Sequence, residues 1–459
     1  MARQTPPNDA SSRQPETGPE STNQRITPKA RRRSTGTFRA MGDSRFRILW
    51  PSSLLFYTSR WMQLTLLGWM VLEKTDSALA VAMVGFSLMA PLLIFGIVGG
   101  VVADSPRRMT VIRSLQALNL AAVAAMGIAF ALNIATVWAA YPVSLATGVA
   151  WAFDQPFKRR VVRDLLGVSG VTNGIALESV AMTASRMMGP AIGGLLIATV
   201  GVRTGYITVV GLAVAAFALI WLVNVPPPSG VDRARAERTA RGTRRISTMF
   251  EGLHYVMSNR LLLGTIAVTM AVNLFIFPYM QVILVVARDV IEVESGLGLL
   301  LSAEGLGSLA AAITIASLSA RAGRLGLIYM TGSTVAASAL LLLSFQTGYL
   351  GAVLSLVLLG FGLAGFSTMQ AAIVVINTAD EVRGKALGVV TLAIGAGPIG
   401  ALIVGALASG LGPQIALRIV AVAALIAMAG LWLAVPEFRA RMGGPPRELR
   451  AGLGGRGHR

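Results

Sequence analysis

Ser185 to Gly194 reads S-R-M-M-G-P-A-I-G-G and lies in the middle of a long apolar run. Proline has no N–H, so Pro190 cannot bond back to the carbonyl four residues earlier, which belongs to Arg186. In hydrocarbon neither that carbonyl nor the arginine can be left alone. Gly189 and Gly193, four apart, form a small face that lets a second helix backbone approach closely, so this helix is expected to be buried among others. A kinked packing helix explains the glycines and the proline. It leaves Arg186 unexplained.

Working outward, the composition fits that reading. Of 459 residues, 54% are hydrophobic and 13% charged, the balance of a membrane protein rather than of soluble domains. Runs of about 20 apolar residues, enough to cross a bilayer core, recur along the chain. We read twelve spans, from 48–72 to 414–435, including 135–153, 174–200, 204–225 and 261–286. A net charge of +19 would suggest nucleic acid in a soluble protein. Here the basic residues sit in the tails and in alternate loops, so the charge is topological and no nucleic-acid partner is expected. Arg107, Arg108, Lys158 to Arg163, Arg233 to Arg245, Arg321, Arg324, Arg383 and Lys385 fall on one side. The opposite loops carry Lys74, Arg203 and Arg288, two of them beside acids. By the positive-inside rule both tails are cytoplasmic, in an inner or plasma membrane.

Several functions are excluded at this level. The chain has no cysteine and two histidines, which rules out disulfides, thiolate sites and a histidine metal cluster. It has no nucleotide-binding glycine loop and no nucleophile constellation, so neither an enzyme, nor ATP coupling, nor any cofactor or metal is expected.

The chain divides into a disordered cytoplasmic tail over 1–45, a first half over 46–225, a linker over 226–260, a second half over 261–435 and a basic cytoplasmic tail over 436–459. The linker opens with P-P-P-S-G and a charge run, and 246–258 has the pattern of an amphipathic helix on the membrane surface. The halves repeat. Gly189-Pro190-Ala-Ile-Gly193-Gly194 is echoed by Gly397-Pro398-Ile-Gly400, and the basic turn ending at Arg108 by the one ending at Arg324, at similar offsets. The predicted fold is therefore an all-α integral membrane protein of twelve transmembrane helices in two pseudo-symmetric six-helix halves, the design of an alternating-access transporter.

Further segments carry a family resemblance over nearly everything from Phe46 to Val435. They include F-R-I-L-W at Phe46 to Trp50, S-R-W-M-Q at Ser59 to Gln63, T-D-S-A-L-A at Thr75 to Ala80, N-G-I-A-L-E-S at Asn173 to Ser179, and E-G-L-H-Y at Glu251 to Tyr255. With G-P-A-I-G-G they resemble the major facilitator superfamily, within it the enterobactin-exporter-like branch of bacterial efflux proteins. The resemblance implies a major facilitator fold that exports drugs, siderophores or other metabolites against protons, and G-P-x-x-G-G is the pattern associated with exporters. The turn holding Gly100, Asp104, Arg107 and Arg108 resembles the superfamily's cytoplasmic loop. It implies a latch in which Asp104 meets the start of the eleventh span and Arg107 or Arg108 reaches Asp154. The sequence departs from the pattern in reading D-S-P-R-R, and Ala320 takes the acid's place in the second copy, so no symmetric latch is expected.

Four ionisable residues lie inside spans, where each costs at least ~2.5 kcal/mol at a helix centre, so a functional placement is the default. They are Arg60, Glu178, Arg186 and Glu304. Counting ~1.5 Å per residue puts Arg60, Arg186 and Glu304 near the midplane and Glu178 about two turns deeper. Glu178 and Arg186, eight apart, are roughly 12 Å apart along one helix and cannot pair. A contact of Glu304 with Arg60 or Arg186 would cross between halves and would break and reform as they rock. Gln63, Asn273, Gln281 and Gln370 are expected to line the same cavity, with Trp61, Phe277 and Tyr279 for stacking, although each can equally be helix-packing glue. The expected activity is proton-coupled export of an amphiphilic or anionic small molecule by a monomer in a lipid bilayer. A non-transporting sensor or assembly partner of the same fold, or an importer, is the alternative.

Overall fold

A computed structural model of the protein describes residues 39–102, 108–225, 254–293, 296–322, 324–378 and 382–440. Every regular element among them is helical. Helix α1 (Phe46–Thr75) starts where the Asp43 carboxylate accepts from the backbone N–H groups of Arg45 (2.9 Å) and Phe46 (3.1 Å). These are donors that a helix start otherwise leaves open. Just ahead, Arg39–Gly42 form a 3-10 turn with Ala40 buried and its N–H bonded to Asn173 Oδ1 at 2.8 Å. Ordered structure thus reaches into the stretch expected to be tail; the rest of that tail lies outside the described residues. At its far end α1 stops at Asp76, whose φ of 48° lets its N–H bond back to the Leu72 carbonyl.

Helices α2 (Ala78–Val102) and α3 (Arg108–Ala131) follow, and the turn with Asp104 and Arg107 lies outside the described residues. Helix α4 (Val137–Leu222) consists of three rods in succession. Gly167 (φ 65°) and Gly201 (φ 75°) sit in the left-handed region, which a residue with a Cβ pays to enter, and the chain bends at both. The expected spans at 174–200 and 204–225 lie on the second and third rods. The first rod corrects an expectation: Lys158 to Arg163, read as loop, continue the helix to Gly167. Asp154 with Lys158 and Arg160 with Asp164 are i,i+4 pairs that support a helix there.

The surface helix expected over 246–258 is described only over 254–258, which is helical. Asn259 then caps α5 (Arg260–Ala271), its Oδ1 accepting from the N–H groups of Leu261 and Leu262 at 3.1 Å each. A π-turn, Val272–Ile276, leads to Pro278 and α6 (Tyr279–Asp289). Such a widened turn is a frequent mark of functional sites. Next come α7 (Leu297–Ala322), α8 (Leu325–Leu343) and α9 (Tyr349–Ile376). The Gly397-Pro398 step separates α10 (Arg383–Ile394) from α11 (Gly397–Leu411), and Gly412 turns the chain into α12 (Pro413–Ala434).

Among the described residues, nine helical windows are long and apolar enough to cross a membrane, against the twelve spans expected. Local chemistry accounts for the difference. The window Gly170–Leu222 runs 53 residues through the bend at Gly201. Helix α1 buries Ser52, Ser53, Arg60 and Gln63 and ends in Glu73 and Lys74, and the first rod of α4 carries Asp154 and Lys158 to Arg163.

Glycine sets the closest crossings. Gly189 and Gly193 on α4 face α1: a methyl on Gly189 would lie 3.1 Å from the Thr58 carbonyl oxygen, and one on Gly193 3.2 Å from Thr65 Cβ. Gly194 meets α7, where a methyl would lie 2.8 Å from the Gly298 nitrogen. Nearby, the Leu79 N–H donates to Ser409 Oγ at 2.8 Å, and Arg288 Nη1 lies 2.8 Å from Asp76 Oδ1. These contacts join helices before the linker to helices after it, at the end away from the basic loops.

Candidate functional site

Pro190 and Gly189 hold the middle rod of α4 against α1, which aims Arg186 past Trp61 toward α6 and α7. There Arg186 Nη2 lies 2.9 Å from Glu304 Oε1. The second oxygen, Oε2, accepts from the Tyr279 hydroxyl at 2.6 Å. Tyr279 owes its position to the break at Pro278, which starts α6 beside the pair. Glu304 owes its position to Gly360: any side chain there would overlap the Glu304 carbonyl oxygen, so α7 and α9 touch at that level. The Arg186 guanidinium also lies 4.5 Å from the Phe277 ring and 5.9 Å from that of Trp61, within cation–π range. Among the described residues its Nε has no hydrogen-bond partner.

The pair is not sealed. The Arg186 and Glu304 side chains keep 26% and 11% of their surface accessible, and both line a cavity with Thr65, Pro190, Tyr279 and Gln281. The cavity encloses about 30 Å³, room for one or two waters. Drug-sized ligands occupy roughly ten times that or more. In this conformation the cavity can therefore feed water to a carboxylate but cannot hold a substrate. Both oxygens of the Glu304 carboxylate are thus taken, one by a guanidinium and the other by a phenol.

The remaining expected residues separate into three groups. Arg60, nearly solvent-free at 1% exposure, does not join Glu304; its guanidinium lies between Trp61 (4.5 Å) and Trp151 (3.7 Å). Gln63, one turn along, accepts from Thr147 Oγ1 at 3.1 Å. Asn273 and Gln370 meet at Thr269, Asn273 through its carbonyl (2.9 Å) and Gln370 through its hydroxyl (2.7 Å), beside the Tyr329 hydroxyl. Glu178 lies deeper, accepting from Ser53 Oγ at 3.1 Å. Asp154, expected opposite Arg107 or Arg108, has its Oδ2 taken by Lys158 Nζ (2.9 Å) and the Tyr57 hydroxyl (3.0 Å). Of the other latch residues, Asp104 and Arg107 lie outside the described residues, Gly100 lies on α2 and Arg108 opens α3. Gly397 faces Asn273, and Gly400 packs on Pro278.

Three residues outside the sequence-based set therefore belong to the interior: Tyr57, Trp151 and Lys158. Lys158 and Asp154 each keep only 2% of the side chain accessible, and the ammonium lies 4.7 Å from the Tyr57 ring. The i,i+4 spacing of Asp154 and Lys158 was the available signal. Trp151 offered none beyond its apolar surroundings.

The family model described as transmembrane secretion effector matches residues 35–448. The multidrug efflux pump Tap of Mycobacterium tuberculosis is 27% identical over 356 residues, 75% of this chain and 82% of that protein. The staphyloferrin A transporter of Staphylococcus aureus is 22% identical over 364 residues, 78% of this chain and 88% of that protein. Among solved structures, a bacterial homologue of the human lysosomal transporter Spinster, inward-facing and unoccupied, superposes with a TM-score of 0.68 at 14% identity. The match covers 89% of this chain and all of that one.

Proposed function

Because the chain belongs to the transmembrane secretion effector family, within the major facilitator superfamily, we propose that this transporter is a proton-coupled exporter of an amphiphilic or anionic small molecule. It works as a monomer in an inner or plasma membrane, with both termini in the cytoplasm. The orientation rests on the basic residues of alternate loops, and the direction on the G-P-x-x-G-G stretch together with a relative described as a multidrug efflux pump. The observation that carries the mechanism is the Arg186–Glu304 pair at 2.9 Å, one residue before the linker and one after it. Rocking of the two halves separates partners that belong to different halves. Glu304, released from Arg186 in a cavity that admits water, takes a proton, and an anionic group of the substrate takes its place on Arg186. The two ligands thus exchange across one guanidinium without touching each other. A cytoplasmic latch of Asp104, Arg107 and Arg108, with Asp154 held instead by Lys158 and Tyr57 in this conformation, completes the reading.

The test is transport in proteoliposomes. Glu304→Gln mimics the protonated acid, so it is expected to exchange substrate for substrate and to lose accumulation driven by an imposed pH gradient. Arg186→Ala is expected to lose binding of anionic compounds. A Glu304→Gln variant that still concentrates substrate would move the proton site elsewhere, with Glu178 the next candidate.

A further inference from the structure

Arg60 is a buried cation with no counter-ion. Among the described residues no carboxylate pairs with it, and its Nε and Nη2 both lack a hydrogen-bond partner. Two indoles lie against its guanidinium, Trp61 at 4.5 Å and Trp151 at 3.7 Å to the ring centroids. Stacking of this kind answers the charge but uses none of the N–H groups, which lie in the plane of the guanidinium. Nε–H and Nη2–H point the same way along one edge. That edge is the fork a carboxylate fills side-on with two parallel hydrogen bonds.

The neighbourhood is short of acceptors in the same sense. Trp61 Nε1, Trp151 Nε1 and Gln63 Nε2 are buried donors without partners, and Gln63 Oε1 is already taken by Thr147. Residues 60 and 63 of α1 face 151 and 147 of α4 at two successive levels, so these groups belong to one interface. Unpaired buried donors are costly, and a cluster of them calls for a ligand that brings acceptors.

We propose that Arg60, clamped between Trp61 and Trp151, is a carboxylate-binding subsite for the transported molecule, separate from the Arg186–Glu304 pair. The proposal rests on the exporter reading above and deepens it by naming the substrate class: a small molecule with a free carboxylate attached to an apolar body. Trp61 is the door. Its ring lies 4.5 Å from the Arg60 guanidinium and 5.9 Å from that of Arg186, which lines the cavity, so it borders both cations. A turn of this side chain as the halves move joins the two cations into one anion path. Gly189 sets the door's place, since any side chain there would overlap Trp61 Cβ.

The experiment is isothermal titration of the full chain in lipid nanodiscs with 2-naphthoate and with its neutral amide, empty nanodiscs providing the partition baseline. The acid is expected to bind saturably and at least tenfold more tightly than the amide. Arg60→Gln is expected to weaken the acid tenfold or more and to leave the amide unchanged. Arg60→Lys, which keeps the charge but not the fork, should fall between. Should Arg60→Gln fail to fold, Arg60→Lys and Trp151→Phe decide, each expected to weaken the acid by several-fold. Equal binding of acid and amide overturns the proposal, as does absence of saturable acid binding or wild-type affinity in the Arg60 variants. Loss of binding in Arg186→Gln with none in Arg60→Gln overturns it as well. No gradient is present in these titrations, so failure of proton coupling in Glu304→Gln leaves their result unchanged, and the two ideas fail separately.

Discussion

Arg288 grips the end of α1 twice: its Nη1 lies 2.8 Å from Asp76 Oδ1 and donates to the Leu72 carbonyl at 3.0 Å. A cation at a helix C-terminus is favourable, and here the cation comes from α6, on the other side of the linker. Asp76 is largely exposed, so its half of the contact is worth only ~0.2–1 kcal/mol. The carbonyl half is the more sheltered one. Arg288→Gln is therefore expected to loosen this end of the molecule more than Asp76→Asn does. The chain has no cysteine, so a pair introduced at Leu79 and Ser409 reports directly: its cross-linking should drop several-fold in Arg288→Gln and by less than half in Asp76→Asn. Equal effects of the two variants would count against the double grip.

Gly194 and Gly298 mark a backbone-to-backbone crossing of α4 and α7. The site a Gly194 side chain would occupy is 2.8 Å from the Gly298 nitrogen and 3.0 Å from the Leu297 carbonyl carbon, both backbone atoms that cannot turn aside. Gly194→Val must push the helices apart. Because alternating access requires the two helices to close again after each separation, the variant is expected to fold and reach the membrane while losing at least tenfold in transport. The same Leu79 and Ser409 cysteine pair should cross-link poorly. Wild-type transport would mean that this contact never has to close.

Pro190 interrupts the ladder that would otherwise satisfy the Arg186 carbonyl, at a cost of about 3 kcal/mol in an ordinary helix. Pro190→Ala is expected to give equal or higher thermal stability in detergent and a several-fold fall in transport, because straightening the rod re-aims Arg186 away from Glu304. Full activity in that variant would reduce the break to packing.

Part of this was readable from the residues alone. Arg186 and Glu304 stood out because charge is rare in apolar runs, and counting residues from helix ends put both near one level. Pairing across the linker followed from their places in different halves. The role of Tyr279 was not readable, since a tyrosine beside a proline looks the same whether its hydroxyl meets an acid or its ring stacks on a ligand. Lys158 was misplaced for a physical reason. It sits in a run of basic residues that resembles a loop, and its first member is buried against Asp154. Which arginine paired with Glu304 was also beyond the sequence: Arg60 lies at the same depth but is turned between two indoles.

The Arg186–Glu304 pair makes a prediction about stability that is independent of any substrate. Removing one partner of a buried ion pair leaves the other charge uncompensated, a loss of about 3–5 kcal/mol where burial is complete. Removing both leaves no such charge. Here the side chains retain 26% and 11% of their surface, so water screens part of the penalty and the single losses should fall below that range. The ordering should survive. Glu304→Gln strands the guanidinium beside Phe277 and Trp61, whose rings soften the penalty. Arg186→Gln strands a carboxylate that keeps one hydrogen bond, from Tyr279. The double variant should be more stable than the sum of the single effects implies, with a coupling in the range ~0.5–3 kcal/mol seen for residues in direct contact. Thermal unfolding of the four proteins in detergent supplies the cycle. Strict additivity would mean that the pair carries no net interaction, and the exchange of Glu304 for a substrate anion on Arg186 would then lose its driving force.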